Sequence, residues 1–171
     1  MGVRYARNTC TTSAEITVRM RPFCVYDVRR YSCSFSPVLH NLDQLAPAFE
    51  RAGFFHRPGN PTRDHRPPST QGSDQDWAKL FFSPGPGKRA TNVHVRVEGR
   101  ANQRYALLFR DYLRAHPVAA AAYAELKRRL AALGIDSGTY ADVKDPACDL
   151  IMAAAEDWCV QTGWTAGPTD V

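Results

Sequence analysis

The sequence predicts an α+β domain, a small mixed or antiparallel sheet flanked by helices, with three helices at its C-terminal end. Three observations carry that expectation. The chain of 171 residues, 44% of them hydrophobic, is the size of one globular core. Residues 92–97 alternate strictly, Val93, Val95 and Val97 against Asn92, His94 and Arg96, which is the period of a half-buried strand. From residue 101 onward the period changes to that of helices. Tyr105, Leu108, Phe109, Tyr112 and Leu113 share one stripe, and Tyr123, Leu126, Leu130 and Leu133 share another. Strands first and helices gathered after them is the α+β pattern.

Taken in order, Ile16, Val18 and Met20 suggest a short strand near residues 15–20, and residues 21–40 as a whole show no sustained period. Asn41, with Gln44 three residues on, reads as a capping-box variant. It opens a helix whose apolar face is Leu42, Leu45, Ala46 and Phe49 and which stops at Gly53. Phe54–His56 reads as a short strand, and residues 57–76 as a long polar loop with prolines at 58, 61, 67 and 68. Trp77–Phe82 and Thr91–Val97 bracket Pro84-Gly85-Pro86-Gly87 as an antiparallel hairpin. Helices follow over 101–115, from Pro117 to the stop at Gly134, and over a last segment capped by Ser137 or Thr139. Tyr140, Val143, Ile151, Ala155 and Trp158 are that segment's apolar positions, and Pro146 either kinks it or opens a second segment capped by Asp145.

The net charge of +5 is unevenly laid out: +3 over residues 1–56, +8 over 57–129 and −6 over 130–171. A basic middle attracts phosphates, whether of a nucleotide, a coenzyme or RNA, and a solvated basic face balanced by an acidic last helix is the plainer alternative. A nonspecific RNA binder rests on that charge alone, and a nucleic-acid partner is not expected. No apolar run nears the ~18–20 residues of a membrane span, so no membrane partner is expected. The N-terminal residues have no apolar stretch of a secretory signal, and five cysteines without a C-x-x-C pair fit reduced thiols in the cytoplasm. Gly85-Pro86-Gly87-Lys88-Arg89 lacks the Ser/Thr of a phosphate loop and joins two strands, so the chain alone is not a P-loop kinase.

The segment Pro61-Thr62-Arg63-Asp64-His65-Arg66-Pro67-Pro68 places Arg63, His65 and Arg66 around one carboxylate on a proline-bounded loop. Such a loop loses little entropy on ordering and can present its cations to a phosphate, or it can simply pin itself to the body through Asp64. His94 and Arg96 on the polar strand face, with Arg110 and Lys127 from the following helices, complete the expected phosphate-binding set. An Asp111–Arg114 helix pair is the competing role in that region.

Pro58-Gly59-Asn60-Pro61-Thr62-Arg63-Asp64-His65-Arg66, Asp76-Trp77-Ala78-Lys79, Asn92-Val93-His94-Val95-Arg96, the run from Leu108 to Pro117, Tyr123-Ala124-Glu125-Leu126-Lys127 and Tyr140–Lys144 together resemble the GrpB family. The resemblance runs from about Asn41 to Trp164. It implies a nucleotidyltransferase-superfamily fold over 41–164, before a flexible tail at 165–171. It also implies an accessory relation to dephospho-CoA kinase, the enzyme to which some family members are fused. No cofactor is implied with certainty. Mg²⁺ belongs only to an alternative reading as a nucleotidyl- or phosphoryl-transferase, and whether the chain is an enzyme is left open. The sequence departs from the family before Asn41: the G-S-T-[SA]-V-P-G-L stretch is missing, and Arg21-Pro22 with Val25-Tyr26-Asp27-Val28 is the only echo of the K-P-[VI]-[IV]-D that follows it. Asp27 is then the single candidate metal carboxylate, and residues 1–40 read as an atypical, poorly ordered or foreign start. The functional expectation is a binding or accessory module for a phosphate-bearing, nucleotide- or CoA-related ligand without robust catalysis.

Overall fold

The computed structural model describes residues 22–23, 30–35, 42–57, 65–68, 70–88 and 92–167. The strand expected near 15–20, the Asn41 cap, Arg63 and Asp27 lie outside those residues. In chain order the elements are β1 (Pro22–Phe23), β2 (Arg30–Phe35), α1 (Leu42–Arg51), β3 (Phe54–His56), α2 (Asp74–Trp77), β4 (Lys79–Pro84), β5 (Asn92–Val97), α3 (Ala101–Ala115), α4 (Pro117–Ala132) and α5 (Ser137–Thr162). The class is α+β as expected, with three C-terminal helices.

The strands form one mixed sheet in the order β1-β2-β5-β4-β3, with β2 parallel to β5 and every other pair antiparallel. β2 is a strand that the sequence does not announce. Residues 21–40 show no sustained period, but the six residues Arg-Tyr-Ser-Cys-Ser-Phe do alternate. Their register sets Tyr31, Cys33 and Phe35 against Val93, Val95 and Val97 of β5. Eight residues of the segment expected to be atypical, those of β1 and β2, are therefore part of the sheet, with β2 beside its central strand. The hairpin expected over 77–97 forms as β4 and β5, but Trp77 belongs to α2 rather than to the strand. Ser73 is the reason: its hydroxyl accepts from the Asp76 amide while the Asp76 side chain takes the Ser73 amide, a capping box that turns these residues helical.

Period two on β4 and β5 sorts the sheet into two faces. Phe82 and Val93, fully buried, sit across from one another on the apolar face. α1 closes that face, Phe49 stacking on Phe82 with ring centroids 4.2 Å apart. Gly53 ends α1 with a positive φ of 81°, which lets the chain turn straight into β3.

The second half of the core lies among the C-terminal helices. Leu108 of α3 is fully buried against Met152 and Ala155 of α5, with Tyr105, Phe109, Tyr112 and Trp158 around them. Leu113, Tyr123 and Cys148 join α3, α4 and α5 in a neighbouring cluster. Side chains of this size each stabilise the fold by about 1.5–3 kcal/mol on burial. Pro117 opens α4 at a first-turn position, where its missing N–H costs nothing. α5 departs from expectation in two ways. Its cap is Asp136, whose carboxylate accepts from the amides of Gly138 and Thr139, rather than Ser137 or Thr139. The helix also runs unbroken through Pro146 for 26 residues. Val143, expected on the apolar face, is half exposed, while Lys144, Cys148, Met152 and Ala155 face inward. Both sides of this helix carry apolar residues, so its period alone does not reveal which one packs.

Candidate functional site

The polar face of the hairpin begins with sequence alternation. Antiparallel register sets Lys79 opposite Arg96 and Phe81 opposite His94, and the parallel register sets Ser34 and Ser32 of β2 against the same two β5 positions. Two cations thus stand side by side on one sheet face, an arrangement that is repulsive in itself. Lys79 is only 8% exposed, with its ammonium 6.0 Å from the centroid of the Phe81 ring. The His94 ring meets Phe81 edge-on, at 5.0 Å. Burial and aromatic contact fix the positions of these groups.

Arg96 is held from the helix side. Its Nε donates to Oδ1 of Asn102 at 2.7 Å, and Nδ2 of Asn102 donates to the Trp77 carbonyl at 2.5 Å. Asn102 lies in the first turn of α3 and is buried, so one amide ties β5, α2 and α3 together. The Gln103 side chain accepts from the Gly99 amide at 2.7 Å, closing the turn between β5 and α3.

The proline-bounded loop arrives at the same junction. Arg66 pairs with Asp74 at 2.7 Å and lies over the Trp77 ring, its guanidinium carbon 5.6 Å from the centroid. Trp77 in turn packs on Tyr105, with ring centroids 5.8 Å apart. His65 reaches α5 instead. Its Nε2 is 2.5 Å from Oδ1 of Asp149 and its Nδ1 is 3.5 Å from Oδ2 of Asp145, two carboxylates one helical turn apart. Beneath them buried Lys144 donates to Asp145 at 2.8 Å and to the Cys148 sulfur at 3.4 Å. Tyr105 stands between the two groups. Burial pushes its hydroxyl well above the usual tyrosine range, and Cys148, Asp145 and Asp149 push the same way while Arg96 opposes them.

The structure therefore brings Arg66 onto Trp77 and Arg96 to the Asn102 amide that holds the Trp77 carbonyl, sets His65 on the α5 carboxylates that act on Tyr105, and leaves His94 on the sheet against Phe81. It does not bring Arg110 and Lys127 to this junction. Arg110 grips the adjacent Asp111 through Nε at 2.6 Å and Nη2 at 3.0 Å, and Asp111 also accepts from the Trp164 indole at 3.2 Å. Arg114 joins the same carboxylate at 3.5 Å, so the helix pair expected as the plainer alternative is present. Lys127 lies over the Tyr123 ring on α4, 5.6 Å from its centroid. Lys79, Asn102, Tyr105, Asp145 and Asp149 are the residues that the sequence reading passed over. The i, i+4 spacing of the two aspartates was visible, but their meeting with a histidine 84 positions away was not.

Among the described residues no group of three or more His, Cys, Asp or Glu side chains is arranged to hold a metal ion, and Cys148 and Cys159 are free thiols. No helix among them is long and apolar enough to cross a membrane.

Fold and junction together define an α+β domain in which a cationic sheet face meets a three-helix unit. The family model described as GrpB protein matches residues 36–154, more than two thirds of the chain, and the chain belongs to the GrpB family. The crystal structure of conserved protein GrpB from Enterococcus faecalis has the same fold, with a TM-score of 0.55 at 23% identity over 84% of this chain and 76% of that one. A dephospho-CoA kinase of Mycobacterium leprae is 43% identical over 91 residues, which are 52% of this chain and 22% of that protein. The UPF0157 protein YqkA of Bacillus subtilis is 42% identical over 81 residues, 47% of this chain and 24% of that one. The similarity thus spans less than a quarter of the length of either relative.

Proposed function

We propose that this GrpB-family domain is a binding or accessory module for a phosphate-bearing ligand, nucleotide- or CoA-related, and that the ligand's phosphate sits on the polar face of β4 and β5. The observation that carries the reading is the side-by-side placement of Lys79 and Arg96, positioned by burial and by Asn102 and flanked by His94. An arginine fork with a lysine beside it matches phosphate oxygens. Arg66 and His65 act here by fixing the loop against α2 and α5, beside the site. The accessory half of the reading draws on the mycobacterial relatives, in which the similar segment is about a fifth of a protein named dephospho-CoA kinase.

Thermal-shift titration with inorganic phosphate, ADP and CoA tests the reading. Ligand at about 100 times its Kd raises stability by about 2.7 kcal/mol, a readily measured increase in Tm. Arg96→Gln is expected to weaken binding by about tenfold or more. Absence of any shift with all three ligands would contradict the proposal. Sustained release of pyrophosphate from a nucleoside triphosphate with Mg²⁺ would replace it with the transferase alternative.

A further inference from the structure

α5 is packed on one side and bare on the other. Its inward positions Lys144, Cys148, Met152 and Ala155 are buried. On the outward side Val143, Pro146, Leu150, Ala153, Asp157 and Val160 are all exposed and follow one another at spacings of three and four, so they form a single ridge. Val143 is 51% exposed, Leu150 75% and Val160 83%. Scattered apolar residues are ordinary on a protein surface; five on one helical stripe ~25 Å long are a patch of the kind that other proteins cover.

α5 itself contributes only acidic charge to its exposed side. Asp142 and Asp157 are exposed at its side and within it, and the one cation of α5, Lys144, is buried and paired with Asp145. Asp149 and Glu156 follow Asp142 at seven-residue intervals along one flank, engaged by His65 and Arg104 respectively. The chain as a whole is basic at +5, so this acidic, apolar surface is a local departure from the molecule's average. At physiological ionic strength charges are screened beyond about 8 Å, and a docking partner responds to that local sign. A second copy of α5 would bring aspartates toward aspartates, which disfavours self-association through this ridge.

We propose that the outward ridge of α5 is a docking surface for a basic amphipathic helix of another protein. The partner's apolar residues, spaced at three and four, would lie against Val143, Leu150 and Val160. Its lysines or arginines would stand beside Asp142 and Asp157.

Fluorescence anisotropy with two labelled peptides of about 20 residues, long enough to match the ridge, tests this. Both carry leucines at three-and-four spacing; one has lysines on its flanks and the other glutamates. The lysine peptide is expected to bind the full chain, with Leu150→Glu weakening it by about tenfold or more and the Asp142→Asn, Asp157→Asn double variant weakening it less. Thermal melts check that each variant is folded, and Val160→Glu repeats the apolar test should Leu150→Glu melt early. Equal binding of both peptides, or no loss in the folded glutamate variants, would overturn the proposal. So would a concentration-dependent dimer that Leu150→Glu dissolves, because the ridge would then belong to a second copy.

Discussion

The polar face of the hairpin and the outward side of α5 differ in how their side chains are held. On the hairpin, Lys79, His94 and Arg96 are fixed by cross-strand register, an aromatic ring and a buried amide, so the two cations among them are held in place. On α5, Leu150 and Val160 are 75% and 83% exposed. Fixed cations suit a small anion, for which geometry decides affinity; a bare apolar ridge suits another helix, for which buried area decides it. On the two proposals made above, one small domain offers a cationic sheet face to an anion and an apolar, acidic helix face to another helix.

The comparison is most easily broken at the cores beneath the two surfaces. Leu108→Ala removes the fully buried contact between α3 and α5 and is expected to cost about 2–5 kcal/mol, measured by chemical denaturation. Such a loss disturbs both surfaces at once. Asn102→Ala acts on the hairpin side alone. It removes the acceptor of Arg96 and the donor to the Trp77 carbonyl, with an expected cost of about 1–3 kcal/mol and a loss of phosphate affinity beyond what the unfolding explains. Ser73→Ala, which opens the capping box that turns Trp77 under Arg66, is expected to cost about 1 kcal/mol in the same assay.

The smallest effect is a pH dependence at the two capping aspartates. The Thr139 hydroxyl, then the amides of Thr139 and Gly138, hold the Asp136 carboxyl below its ordinary value of 3.8. The Ser73 side chain and amide do the same for Asp76. A lowered folded-state value means that each carboxylate stabilises the fold at pH above its unfolded value and that this contribution is lost as pH falls through the folded one. Asp136→Asn is therefore expected to lower Tm at neutral pH and to flatten the fall in Tm below pH ~4 expected of the native chain.

Legibility in the sequence followed locality. β5, α3, the start of α4 and the Phe54–His56 strand were readable because each announces itself within a few residues, by alternation, by a stripe or by a proline at a helix start. β2 escaped because a six-residue alternation inside an Arg-, Ser- and Cys-rich stretch gains its meaning only from its parallel partner 62 positions on. On α5, Ile151, Ala155 and Trp158 were readable as inward, but Val143 was misplaced and Cys148 and Met152 escaped because both sides of the helix are apolar, and what packs is decided by α3 and α4. At the candidate site, His94 and Arg96 followed from period two. Lys79 needed the hairpin register, and Asn102 needed the docking of α3. Those are contacts between elements, and no spacing within one element encodes them.

Titration of ADP into the native chain and into Arg96→Gln, at about 50 mM and about 200 mM salt, tests the central claim most directly, because phosphate contacts with fixed cations weaken as screening rises. The account predicts saturable binding to the native chain that is tighter at low salt and weaker by about tenfold in the folded variant. Equal affinity in the two chains at both salt concentrations, or no binding in either, would contradict it.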